Sequence, residues 1–154
     1  MILQKIQKKK GFVILFAVTV SSLLLAIALG VMNIAYKEVK FGTNAKDTND
    51  AFFAADTGIE CAFLNDKSTS NSFVSGTAKS FQCVGNTAST TPLSADSWSF
   101  TVYGLGSAGQ GCAKVTVDKT NPILTTITSK GYNDGGSSCT QGPNSVEREI
   151  VSSY

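Results

Sequence analysis

Hydrophobic residues are concentrated in one continuous run near the start of the chain. From Phe12 to Tyr36, 25 residues pass without an Asp, Glu, Lys or Arg. About 20 apolar residues in an α-helix are enough to cross the ~30 Å hydrocarbon core of a bilayer. The run therefore predicts a transmembrane helix over residues 12–36.

A weaker hydrophobic pattern follows this run. Apolar and small residues recur three or four positions apart, which is the spacing of one face of an α-helix. The members of this stripe are Phe41, Ala45, Thr48, Phe52, Ala55, Ile59 and Ala62. We expect residues 37–65 to form an amphipathic continuation of the helix, with the part from Phe52 to Ala62 packed on the protein's own sheet.

Alternation of apolar and polar residues predicts β-strands in residues 66–154. A short strand is expected over 81–84, followed by a loop over 87–96. The clearest alternations place two sets of side chains inward: Trp98, Phe100 and Val102, then Ala113, Val115 and Val117. The second of these strands is expected to form a hairpin with a strand over 123–130, and 146–154 is the last strand. The predicted fold class is α+β, with the long N-terminal helix packed on a small antiparallel sheet of about four strands.

The formal net charge of +2 is unevenly distributed. Four lysines precede the hydrophobic run, namely Lys5, Lys8, Lys9 and Lys10, and from Phe12 onward nine basic residues face eleven acidic ones. Residues 1–11 are therefore predicted to form a basic leader. The positive-inside rule places this leader in the cytoplasm and the C-terminal domain outside a single-pass anchor. The same distribution does not suggest a nucleic-acid-binding surface.

The cysteines all follow the hydrophobic run, at Cys61, Cys83, Cys112 and Cys139. The chain has no histidine and no closely spaced cysteine pair, which argues against a zinc site. An even number of cysteines in an exported domain favours two disulfides, with buried free thiols as the alternative. Three pairings are possible from the order alone. We expect Cys61–Cys83 to tie the helix end to the first strand and Cys112–Cys139 to close the later strands.

The sequence carries no catalytic pattern. Without histidine, the common serine and cysteine triads are excluded, and no phosphate-binding or dinucleotide fingerprint is present. The segment Asn133-Asp134-Gly135-Gly136 is better explained as a turn than as a calcium site, because it offers one carboxylate. We therefore predict a protein that is not an enzyme, with no catalytic residue, metal or cofactor. Nothing points directly to a nucleic-acid or small-molecule ligand.

At the junction between leader and anchor, Lys8, Lys9, Lys10 and Gly11 precede Phe12. This junction resembles the class III signal of type IV pilins and pseudopilins. In that family the prepilin peptidase, a membrane aspartyl peptidase, cuts after the glycine, and the new N-terminal residue, typically Phe, is N-methylated. The resemblance implies processing between Gly11 and Phe12 and a mature chain that keeps its anchor.

A second segment carries the same resemblance. Residues Ala51–Ala62, AFFAADTGIECA, are similar to the AxxAAEAGxxxA helix of PilX-type minor pilins. One residue departs from the family pattern, because most pilins have Glu at the fifth mature position, where this chain has Phe16. In a filament that Glu pairs with a neighbour's N-terminal amine, and a buried ammonium without its carboxylate is costly. Some minor pilins and pseudopilins lack this Glu and are thought to sit at the filament tip.

The resemblance implies a pilin-like fold and a structural function. The chain would be a minor pilin or pseudopilin, with a tip or initiating position possible, in a type IV pilus, a type II secretion-like machine or a DNA-uptake machine. Its partners would be the bilayer, the prepilin peptidase and other pilin subunits, contacted through the N-terminal helix in a fimbrium on the cell surface.

Two other functions stay open. A single-span surface binding protein or adhesin that does not polymerise would use the same anchor and disulfides. A small secreted domain would instead be released by signal-peptide cleavage near Ala28 and would lose the anchor. Processing at the Gly11–Phe12 bond distinguishes the pilin from both.

Overall fold

The computed structural model describes residues 10–74, 77–143 and 145–154, with side chains from residue 12 onward. Its elements in chain order are helix α1 (Lys10–Lys67) and strands β1 (Ser80–Cys83), β2 (Asn86–Ser89), β3 (Thr91–Ser94), β4 (Ser97–Leu105), β5 (Gly111–Asp118), β6 (Thr126–Tyr132) and β7 (Glu147–Ser153). A 3₁₀-helix, Gly136–Ser138, lies between the last two strands. The chain divides into two compact units, Met1–Thr43 and Asn44–Tyr154.

The described part of the first unit is helical throughout. Most residues of this segment are apolar, and few of them disfavour an α-helix. An α-helix also satisfies the backbone hydrogen-bonding groups of the segment internally. Lys8 and Lys9 of the expected leader lie outside the described residues, and Lys10 is the first residue of α1.

The second unit contains two antiparallel sheets, which confirms the α+β prediction. The strands β3-β4-β5-β6-β7 form a five-stranded sheet in sequence order, and β1 and β2 form a separate hairpin. The predicted hairpin between the strand of Val115 and the next one is present, as β5 and β6 pair in antiparallel register. The sheet is larger than the four strands expected.

The prediction of a loop over residues 87–96 is wrong, because β2 and β3 occupy most of it. Ala88 and Thr90 are buried there although their neighbours are polar and exposed. Pro92 did not indicate a strand, but it lies on β3, the edge strand of the larger sheet, where one side needs no backbone N–H donor.

The strand expected from Ile123 begins three residues later, at Thr126. The side chain of Asn121 accepts a hydrogen bond from the Ile123 backbone N–H at 2.9 Å, and the Asn121 carbonyl accepts one from Leu124. Asparagine commonly closes turns in this way. The turn between β5 and β6 therefore extends through Leu124.

The helix packs on the sheet through small residues, which corrects the predicted stripe. Ala55, Ile59 and Ala62 are buried as expected, but Phe52 is 47% exposed. Ala51, Ala54 and Gly58 face the sheet in its place. A β-carbon on Gly131 of β6 would overlap the backbone of Ala51 and Ala55. The two elements are therefore too close for a phenylalanine to fit between them.

The core lies between this helix face and the sheet. Trp98, Phe100 and Val102 of β4 point inward, confirming the predicted alternation, and β5 and β6 add their own buried residues. Phe73, in the segment after α1, stacks on Phe100 with ring centroids 6.0 Å apart. Phe81 of β1 packs edge-on against the same ring at 5.0 Å, so the β1–β2 hairpin is joined to the core.

Candidate functional site

The apolar segment Phe12–Tyr36 has no partner within the described structure. Its large hydrophobic side chains are between 41% and 78% exposed. The most apolar window of the helix has a mean hydropathy of 2.7, and α1 is long and apolar enough to cross a membrane. Burying a surface of this composition in water-free surroundings is strongly favourable.

The hydroxyl groups within this segment are satisfied by the helix itself. Thr19 donates to the carbonyl of Phe16 at 2.9 Å, and Ser21 donates to that of Val18 at 3.0 Å. Ser22 does the same with the carbonyl of Thr19. Because these donors are bonded within α1, none of the three has to be desolvated without a partner when the helix enters lipid.

The expected processing residues lie at the start of the helix. Gly11 and Phe12 are in its first turn, and the Phe12 side chain is exposed. Phe16, at the position where most pilins carry Glu, is also exposed. Cleavage of the Gly11–Phe12 bond stays a prediction.

The cysteines form the two disulfides that were expected. Cys61–Cys83 joins α1 to β1 with the Cα atoms 5.6 Å apart, and Cys112–Cys139 joins β5 to the segment after the 3₁₀-helix at 5.8 Å. All four cysteines are buried. The first bridge closes one side of a groove that the sequence did not predict.

This groove lies between the C-terminal part of α1 and the β1–β2 hairpin and has a volume of about 660 Å³. We call it the α1–β1 groove. Its lining includes Asp56, Glu60, Leu64, Val84 and the disulfide between Cys61 and Cys83. Asp56 and Glu60 are exposed carboxylates one turn apart, and Leu64 and Val84 are each 66% exposed. The groove therefore combines negative charge with apolar surface. In the sequence, only the i, i+4, i+8 spacing of 56, 60 and 64 could have indicated it.

The hairpin tip beside the groove is strained. Val84 and Gly85 connect β1 to β2 with φ angles of 49° and 75°, so both central residues of the turn are left-handed. Such two-residue turns usually contain Asn-Gly. A β-branched residue in this conformation is an outlier, and left-handed backbone costs roughly 1–2 kcal/mol for an ordinary residue.

A cluster around Asp66 joins the end of α1 to the ends of two strands. The Asp66 carboxylate accepts hydrogen bonds from Lys119, just after β5, from the Tyr154 hydroxyl at 2.7 Å and from the Asn71 side chain at 2.9 Å. Lys67 lies over the Tyr154 ring, with its Nζ atom 4.2 Å from the ring centroid. We call these residues the Asp66 cluster. Asp66 and Tyr154, which are its most distant members, are 88 positions apart in the sequence. No local sequence pattern indicated the cluster.

The pKa values of the cluster follow from this geometry. Burial raises the pKa of Asp66, but the hydrogen bonds from Lys119, Tyr154 and Asn71 outweigh burial, so the pKa lies below its ordinary value. Burial, followed by the hydrogen bond to Asp66, raises the pKa of Tyr154 above its ordinary value. At neutral pH the carboxylate is thus ionised and the phenol is neutral.

The glycine-rich turn at Asp134 lines a pocket of about 380 Å³. Glycines, serines and Thr140 line it, and Asp134 is the one carboxylate among its lining residues. Within the described part of the chain, no group of three His, Cys, Asp or Glu side chains is placed to hold a metal ion.

Comparisons with known proteins add no relative. No protein-family model matches the chain, and searches of curated proteins and of solved structures each find no significant match.

Proposed function

We propose that this chain is a minor pilin or pseudopilin, a structural subunit rather than an enzyme. The observation that carries the proposal is helix α1, which runs from an exposed apolar segment into a part that packs on an antiparallel sheet. This is the order of elements that the pilin resemblance implies, with the Gly11–Phe12 junction at the start of the helix.

The anchor and the disulfides are compatible with this function. A helix that stays attached after leader removal can hold the subunit in the bilayer and later pack among the helices of other subunits. Two disulfides favour an extracytoplasmic location for the second unit, because such bonds persist in oxidising compartments.

Phe16 favours a minor rather than a repeating role. The described helix offers no carboxylate between Phe12 and Tyr36 that could neutralise a neighbour's N-terminal ammonium. A subunit at the tip or at the start of a filament would not need that carboxylate.

The deciding measurement is intact mass with N-terminal sequencing of the protein from its native membrane fraction, without reduction. We expect a chain that begins at Phe12, carries one extra methyl group and lacks four hydrogens because of its two disulfides. A chain that begins at Met1 would favour a membrane-anchored surface binding protein. A chain that begins near Leu29 would indicate a secreted domain without an anchor.

Gly11→Leu should abolish leader removal and leave membrane insertion unchanged, because the apolar segment is intact. Gly30→Leu is a matched control, since it also adds a bulky side chain to α1 at a position with open space around it. The Gly30 variant should be processed normally. Removal of the leader at the same bond in the Gly11 variant would contradict the proposal.

A further inference from the structure

The charges of α1 are separated along its length. Residues 37–46 contain three lysines and one glutamate, whereas residues 47–66 contain five acidic residues and no Lys or Arg. We propose that the α1–β1 groove binds the segment Lys37–Phe41 of a second copy of this chain. The inference rests on the proposed function, since an assembling subunit must contact other subunits.

The groove has two carboxylates that make no ion pair with the described residues of their own chain. Ion pairs among the described residues engage Asp66, Glu147 and Glu149, and none engages Asp56 or Glu60. Both side chains are exposed, and they lie one turn apart on the same side of α1. They can therefore accept two cations from a helix that lies alongside.

The groove also has apolar surface, which a bound cation alone would not cover. Leu64 follows Glu60 by one turn, and Val84 faces the same space from the hairpin tip. The left-handed conformation of Val84 costs stability that an Asn at this position would avoid. Strain of this kind clusters at functional positions, and here it presents an exposed aliphatic side chain.

The segment Lys37–Phe41 has the complementary chemistry. Lys37, Lys40 and Phe41 are spaced i, i+3 and i+4, so they share one side of the helix. Phe41 is 75% exposed. Two cations beside an aromatic ring match two carboxylates beside Leu64 and Val84.

The pairing requires two chains. Lys40 and Asp56 are sixteen positions apart in α1, and side chains of one helix interact when they are three or four positions apart. The donor and acceptor surfaces are different, so the contact is heterologous rather than a self-complementary two-fold contact.

Photo-crosslinking of the purified full-length chain in detergent tests the proposal. The photoreactive residue p-benzoylphenylalanine at Leu64 should give an adduct of twice the chain mass, with the cross-linked peptide mapping to residues 37–41. The same residue at Ile123, which is 90% exposed on the β5–β6 connection, is the collision control and should give at least tenfold less adduct.

Charge reversal makes the test specific. Asp56→Lys with Glu60→Lys should lower the Leu64 adduct at least tenfold, and so should Lys37→Glu with Lys40→Glu. Mixing the two reversed chains should restore it, because opposite charges then face each other again. The adduct of the unreversed chain should also decline between 50 and 500 mM salt, as expected for exposed charges.

Three results would overturn the proposal: equal adducts from Leu64 and Ile123, an adduct unaffected by charge reversal, or no restoration on mixing. Thermal unfolding and non-reducing mass of each variant establish that it is folded with both disulfides. N-terminal processing is measured separately on the unmodified chain. Failure of the contact therefore stays distinguishable from failure of the proposed function.

Discussion

Gly131 allows the helix backbone to lie close to the sheet. It lies on β6 directly beneath α1, and its missing β-carbon makes room for the helix backbone. Ala51 and Ala55, both fully buried, complete the contact from the helix side. Small residues on both elements allow the two backbones to lie close together. The space between them is therefore too narrow for Phe52, whose side chain lies outside the core.

Gly131→Ala should lower the free energy of unfolding by at least about 2 kcal/mol, because the added carbon meets backbone atoms that cannot move aside. Chemical denaturation followed by circular dichroism measures the change. Gly142→Ala is the control, since its nearest neighbour would be the Ser145 hydroxyl at 3.8 Å, and it should be close to neutral. Equal stability of the two variants would contradict the close packing.

Val84 gives a second prediction at the scale of one residue. Val84→Asn should raise the free energy of unfolding by about 1 kcal/mol, because Asn-Gly suits a turn with two left-handed residues. Thermal unfolding should show the gain, and Val84→Ile should not, because Ile keeps the β-branch. If Val84 contributes to the proposed contact, the more stable Asn variant will also form less Leu64 adduct. A loss of stability in the Asn variant would show that the turn is not strained.

At the scale of elements, the Asp66 cluster connects the ends of α1, β5 and β7. Side chains connect these ends, since Lys119 and Tyr154 both donate to the Asp66 carboxylate. The Asp66 side chain is 7% exposed, so its hydrogen bonds are little weakened by solvent. We expect the cluster to keep the end of the helix on the sheet.

Asp66→Asn should lower the free energy of unfolding at pH 7 by about 2 kcal/mol. Because the folded pKa of Asp66 is depressed, its contribution is present above its unfolded pKa of about 3.9 and is lost as the pH falls through the folded value. The difference between wild type and Asp66→Asn should therefore shrink below pH ~4. A difference that stayed constant down to pH ~2 would exclude the ionised carboxylate as its source.

Tyr154→Phe probes the alkaline side of the same cluster. The folded pKa of Tyr154 is raised, so its contribution is complete below the unfolded pKa of about 10 and is lost as the pH rises toward the folded value. Wild type should lose stability more steeply than Tyr154→Phe above pH ~10. Parallel pH profiles for the two proteins would contradict the hydrogen bond to Asp66.

At the scale of the whole molecule, the two units have different requirements of their surroundings. The first exposes a continuous apolar surface, whereas the second has its own core and both disulfides. A unit with its own core can fold independently.

A fragment of residues 44–154 should therefore be soluble without detergent and should unfold in one cooperative transition. Replacing either cysteine pair by serine should cost about 3 kcal/mol, since each bridge closes a loop of 22 or 27 residues. Calorimetry of the fragment and of the two variants measures both effects. A fragment that is folded only in detergent would show that the second unit depends on the first.

Much of the fold could be predicted from local patterns. The apolar helix, the strands of Trp98 and Val115 and their inward faces were visible because each pattern repeats with the period of its own element. The expected disulfide pairing is present, but the sequence allowed three pairings and did not decide among them. The strands within 87–96 were missed because they are short, mostly exposed and contain a proline.

For the candidate site too, some features could be predicted from local sequence patterns and others could not. Charge and hydropathy along the chain predict the anchor and the leader, and the resemblance to pilin signals implies the processing bond, because all three depend on neighbouring residues. Other features bring together residues that are distant in sequence. They are the α1–β1 groove, the Asp66 cluster and the helix–sheet contact, in which alanines are buried instead of Phe52. Only the tertiary structure settles them, because the distance between packed elements is decided by the side chains of both at once.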